Sequence, residues 1–117
     1  MNNIKIAKNF KLKEFQCPCC KRVMLDSKLL KGLVLLRIML NRPIYINSGY
    51  RCNKENERVK GYKDSYHLVG MAADIQVKDI SISGLADFAE SFGFKGIGIY
   101  KKHLHLDVRE ILYRWVD

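Results

Sequence analysis

The segment His103-Leu104-His105-Leu106-Asp107-Val108 constrains the fold more than any other stretch of this chain. Polar and apolar residues alternate through it without a break. That is the period of a half-buried β-strand, whose successive side chains point to opposite faces. Leu104, Leu106 and Val108 then face a core, while His103, His105 and Asp107 share the other face, with alternate Cα atoms about 6.6 Å apart. Three polar, metal-competent groups in a row cover a core poorly and build a site well. The chain therefore needs a sheet with one apolar face and one face of reactive groups.

Met71 to Val77 reads as a second such strand, with Ala73, Ile75 and Val77 on one side and Ala72, Asp74 and Gln76 on the other. His67 lies in the loop that enters it, where Gly70 gives the chain freedom to turn and Ala72 leaves space beside the site. His67, Asp74 and His105 are the residue types that hold a catalytic zinc. Three protein ligands leave one position for a water, whose pKa would fall toward about 7. This set predicts Zn2+ and a hydrolytic reaction. His103 has three readings: a fourth ligand, a general base with an ordinary pKa near 6.5, or an oxyanion donor. Asp107 reads as an acceptor that orients a histidine ring, as a base, or as the ion-pair partner of Arg109. Arg51 follows the turn Ser48-Gly49-Tyr50 and suits a grip on a substrate carboxylate or on developing negative charge. Ser65 reads as a substrate donor or a loop cap.

The remaining pattern supplies a frame. Asp26 is a helix N-cap, and Leu29, Leu30, Leu33, Leu36 and Leu40 follow at helical spacing until Asn41, before Pro43. Residues 43–47 form a short strand. Residues 53–64 are polar and without period, a loop or a short irregular helix. Ser83 is expected to cap another helix, with Leu85, Phe88, Ala89 and Phe92 inward and Gly93 as its stop, and residues 96–100 form a further strand. Residues 1–25 read as a loop-rich lead-in anchored by Phe10, Leu12 and Phe15. At 117 residues the chain suits a single domain spanning 1–117, expected to act as a monomer.

Lys and Arg exceed Asp and Glu by nine, a surplus that favours polyanionic partners. The basic residues are scattered, however, which argues against specific nucleic-acid binding. No apolar run reaches the roughly 20 residues of a membrane span, and none near the start resembles a signal peptide. The expected location is the cytoplasm. Cys17, Cys19, Cys20 and Cys52 stand open to three readings: free thiols, a structural metal site built on Cys17-x-x-Cys20, or a disulfide after export.

The run Ser65-x-His67-x-x-Gly70-x-Ala72-x-Asp74 resembles the first zinc motif of the D-alanyl-D-alanine metallopeptidase family. His103-x-His105 resembles the second motif of the wider group that also holds lysostaphin-type enzymes and the hedgehog domain. Ser48-Gly49-Tyr50-Arg51 resembles the family's substrate-arginine turn. The likeness runs from about Phe10 to Trp115 and is nearest to small phage and prophage enzymes that lyse cell walls. It implies an α+β fold, with a small central antiparallel sheet, helices on one side and a zinc cleft on the other. It further implies hydrolysis of peptidoglycan stem peptides, as a D-Ala-type carboxypeptidase or an endopeptidase. His67, Asp74 and His105 would be ligands, Arg51 and Ser65 substrate contacts, and His103 the extra catalytic histidine. Such an enzyme would be made in a bacterial or phage-infected cytoplasm and reach the wall after release. Where the carboxypeptidase and dipeptidase branches carry a Glu or Asp as base, three residues before the last ligand, this chain has Lys102. The base is then His103, Asp107 or a group elsewhere. A zinc-bearing binding module without hydrolysis is the alternative.

Overall fold

Asp26 opens the first long helix, its carboxylate accepting a hydrogen bond from the Lys28 backbone N–H at 2.7 Å, which satisfies an otherwise orphaned donor. The computed structural model describes residues 2–117; Met1, the first residue of the expected lead-in, lies outside the described residues. In chain order the elements begin with a small hairpin of β1 (Lys5–Ala7) and β2 (Phe10–Lys11), followed by a 3-10 turn (Leu12–Phe15). Next come α1 (Ser27–Leu40), β3 (Tyr45–Ser48), the short helix α2 (Asn53–Arg58) and a second 3-10 turn (Tyr66–Val69). The chain finishes with β4 (Ala72–Gln76), α3 (Ile82–Glu90), β5 (Gly96–Ile99), β6 (Leu104–Asp107) and β7 (Tyr113–Val116).

The fold is α+β. Five strands form one sheet in the order β3-β4-β6-β5-β7. Alternation sorts their side chains. Ala73 and Ile75 of β4, Leu104 and Leu106 of β6, and Ile97 of β5 pack with Leu29, Leu33 and Leu36 of α1 and Leu85, Ala86 and Ala89 of α3 in one core. Each fully buried leucine there contributes about 1.5–3 kcal/mol relative to exposure. Phe10 and Phe15 of the lead-in are buried in the same core, whereas Leu12 is only half-buried.

Three details depart from the sequence expectations. The second helix is capped by Ser81, not Ser83, because the Ser81 hydroxyl accepts from the Gly84 N–H at 3.0 Å. That helix ends at Glu90, and Phe88 lies on its outer side, 36% exposed. The sheet also gains β7, whose Tyr-Arg-Trp-Val composition carries no clean alternation. It pairs parallel to β5 while the other pairings in this sheet are antiparallel.

Register places the site. One row of residues crosses all five strands: Ser48, Asp74, His105, Gly98 and Trp115 stand opposite one another in turn. With strands about 4.8 Å apart, Asp74 and His105 are immediate neighbours although 31 residues separate them. The adjoining row runs Ala72, Asp107, Gly96 and Tyr113. Both glycines of β5 face these functional side chains. A Cβ on Gly98 would come within 2.5 Å of the Trp115 ring, and one on Gly96 would collide with the Asp107 carboxylate.

Candidate metal centre and cleft

The 3-10 turn that carries His67 begins at Ser65, whose hydroxyl accepts from the His67 backbone N–H at 3.2 Å, and ends at Gly70 with φ +72°. A Cβ at Gly70 would also meet the Met24 backbone carbonyl at 2.5 Å, so glycine is needed there for both conformation and space. This turn delivers a buried His67 ring beside Asp74 and His105.

Hydrogen bonds fix each imidazole from behind. His67 donates from Nδ1 to the Gly49 carbonyl at 2.7 Å, which leaves the Nε2 lone pair 3.1 Å from Asp74 Oδ1. His105 donates from Nε2 to Asp107 Oδ2 at 2.7 Å, which leaves its Nδ1 lone pair 3.1 Å from the same oxygen. Asp74 is itself held ionised: burial opposes the charge, but the two histidines outweigh it and keep the carboxyl far below the usual range. With neutral rings, three lone pairs converge on one point. That arrangement is repulsive unless a proton or a cation sits between them. The three ligand atoms lie within 4.8 Å of one another, and the two 3.1 Å contacts approach the roughly 3.3 Å edge of a tetrahedron with metal–ligand distances of about 2.05 Å. The donor set therefore fits zinc.

Asp74 divides its work between its oxygens. Oδ2 accepts from Arg51 Nη2 at 2.9 Å, and His103 Nε2 lies 3.8 Å from it. Arg51 also donates from Nε to Ser48 Oγ at 2.9 Å and from Nη1 to Asn56 Oδ1 at 3.3 Å. Three of the five guanidinium N–H groups thus position Asp74 and the surrounding turn.

Asp107 is fully buried. Besides His105 it accepts from Arg109 Nη2 at 2.7 Å on Oδ2 and from Arg109 Nε at 2.8 Å on Oδ1. Burial pushes this carboxyl up, but Arg109 and then His105 outweigh it and hold it down at about 2. Burial also disfavours charge on His105, yet the Asp107 and Asp74 carboxylates, both of which a protonated ring could donate to, raise its pKa above the ordinary value. His103 goes the other way. Burial lowers its pKa; Asp74 opposes this, and the positive charges of its neighbours add to the lowering. The His103 ring stacks on Tyr100 with centroids 4.5 Å apart and planes 12° from parallel, its side chain 29% exposed.

These groups lie in an open cleft of about 800 Å3. Sequence reasoning missed its aromatic wall. Tyr66, Tyr113 and Trp115 surround the Arg109 guanidinium at 4.6, 5.6 and 5.4 Å, and the Trp115 ring centroid lies 5.2 Å from that of His105. The glycines at 96 and 98, alternating opposite His105 and Asp107, were the one signal that this strand gives way to bulky neighbours. Lys102, by contrast, is exposed and lines a separate small cavity with Tyr45 and Gln76.

A family model described as Peptidase M15 matches residues 8–108 of the chain. No curated protein matches it. No helix among the described residues is long and apolar enough to cross a membrane.

Proposed function

The chain belongs to the peptidase M15 family, and from that premise we propose that it is a zinc peptidase cleaving peptidoglycan stem peptides at bonds that involve D-alanine. The observation that carries this reading is the convergence of His67 Nε2, Asp74 Oδ1 and His105 Nδ1 in a cleft wide enough for a peptide. His67, Asp74 and His105 would hold the ion. When bound, zinc supplies Lewis acidity, polarising a carbonyl and making water acidic enough to ionise near neutral pH.

The chain's own residues would do the rest. Asp107 and the Gly49 carbonyl fix the histidine tautomers, so that both rings present lone pairs inward. Arg51 donates to Oδ2 of Asp74 and orients the carboxylate so that Oδ1, the oxygen nearest both histidines, would be the one to hold the ion. The remaining Arg51 N–H groups hold a substrate carboxylate or the developing oxyanion. His103, kept neutral by its lowered pKa, accepts the proton of the attacking water at Nε2 and returns it to the leaving amine. Asp107 acts through His105. Lys102 takes no part, since its side chain lies outside the cleft. The aromatic shelf around Arg109 receives the stem peptide, and the net charge of +9 favours an anionic wall.

Mass spectrometry of products from a defined stem peptide tests the reading. Release of D-alanine, or scission of a cross-link, should stop with chelator and return with zinc. Binding without any cleavage would replace this reading with that of a zinc-bearing wall-binding module.

A further inference from the structure

A second group of metal-competent side chains lies outside the cleft. The sulfurs of Cys17, Cys20 and Cys52 fall within 4.8 Å of one another, and Cys17 Sγ and Cys52 Sγ are 3.6 Å apart. Tetrahedral zinc with Zn–S distances of about 2.3 Å places its sulfurs about 3.8 Å apart, close to the observed spacing. The backbone is folded for the purpose. The turn Cys17-Pro18-Cys19-Cys20 closes through Lys21 N–H to the Cys17 carbonyl at 2.9 Å and Cys17 N–H to the Arg22 carbonyl at 2.8 Å, with Lys21 in the left-handed region at φ 62°. The thiolate is the form of cysteine that binds metal. Cys17 is fully buried, Cys52 is half-buried and Cys20 is exposed, so an ion has a path in.

We propose that Cys17, Cys20 and Cys52 form a second, structural zinc site. Three thiolates are soft ligands suited to zinc, and Cys17-x-x-Cys20 has the spacing of known structural sites. Each thiol gives up its proton to solvent as the ion enters, so binding strengthens as pH rises. Three thiolates around a dication leave one net negative charge.

The location gives the site its consequence. Cys52 directly follows Arg51 and serves as the N-cap of α2. Tyr50 N–H donates to the Phe15 carbonyl at 2.9 Å, and Gly49 is pressed so closely on Phe15 that a Cβ would meet its backbone at 2.7 Å. A metal joining residues 17, 20 and 52 would clamp the lead-in onto the turn that carries both Arg51 and the Gly49 carbonyl behind His67. This inference does not rest on the peptidase reading.

The test uses the intact protein under a non-thiol reductant. Metal analysis should find about two zinc ions per chain, and His67→Ala should retain about one. Cobalt-substituted protein should show thiolate-to-metal charge-transfer absorption in the wild type and in His67→Ala. The double variant Cys17→Ser/Cys52→Ser should lose that absorption. Because the cysteine variant risks failing to fold, alkylation of Cys20 in the wild type supplies a second measurement, and zinc should slow it at least about tenfold. Cobalt-loaded His67→Ala without thiolate absorption would overturn the proposal. So would alkylation at equal rates with and without zinc, or a Cys17–Cys52 disulfide that persists under the reductant.

Discussion

Replacing Asp107 by asparagine changes one atom type in a buried group whose every acceptor is used. Oδ1 accepts from Arg109 Nε and the Arg109 backbone N–H, and Oδ2 accepts from Arg109 Nη2 and His105 Nε2. Asparagine offers one oxygen and one NH2. Whichever way it turns, a pair of donors then faces a donor. At about 1.5–3 kcal/mol for a hydrogen bond to a charged group, offset by some rearrangement, the expected loss of stability is about 2–4 kcal/mol. For a chain of this size that lowers Tm by roughly 10–20 °C. The His105 ring also loses the acceptor that fixes its tautomer, so zinc affinity should fall about 10–100-fold. Competition with a chromophoric chelator measures this, the relevant site being the one that His67→Ala abolishes.

The same carboxylate sets a pH signature. Its folded-state pKa of about 2 lies below the ordinary value of about 3.9. A depressed carboxylate pKa stabilises the fold fully above about pH 4, and that stability is lost as pH falls through about 2. The span is worth roughly 2–3 kcal/mol. Urea unfolding of chelator-treated protein at stepped pH should show this acid limb in the wild type and a flatter one in Asp107→Asn. A folded variant with zinc affinity within about twofold of wild type and an unchanged acid limb would refute the reasoning.

Other outcomes follow from the same geometry. His103→Ala should cut kcat by at least about 100-fold with metal content unchanged, while Lys102→Glu should stay within about twofold; the reverse ranking in peptide-cleavage assays would return the base to position 102. Arg51→Lys keeps the charge but not the planar fork to Asp74, Ser48 and Asn56, and should lower kcat/KM about 100-fold or more. Gly98→Ala should push the single tryptophan, Trp115, off the sheet floor; an altered emission spectrum and a KM raised about 2–10-fold are expected, and unchanged emission would count against the contact. Exhaustive chelation should abolish cleavage, and zinc should restore it, in a stopped assay on a defined stem peptide.

Much of this site is local information. Strict alternation in residues 103–108 and 71–77 sorts core from site with no tertiary knowledge, because a strand has only two faces. The helix from Asp26 to Asn41 is equally legible from its cap and its leucines: Leu29, Leu33 and Leu36 are buried, and Asn41 ends the helix at φ 51°. Other features turn on local backbone geometry that residue types alone do not settle. Ser65 left two readings open, and the observed turn uses its hydroxyl as a cap. Ser83 is the expected cap of the later helix, and the backbone geometry gives that role to Ser81.

The sequence by itself determined which side chains are metal-competent, which strand faces they share and which turns carry Arg51 and His67. Only the tertiary structure decided which of them meet. Register across five strands set Asp74 beside His105 and added β7 so that Trp115 roofs Gly98, and the fold sent Lys102 to a different cavity. The reason is physical: alternation assigns a side chain to a face at a cost or gain felt within a few residues. Its neighbours on that face are set by strand pairing between segments far apart in the chain, which no local pattern encodes.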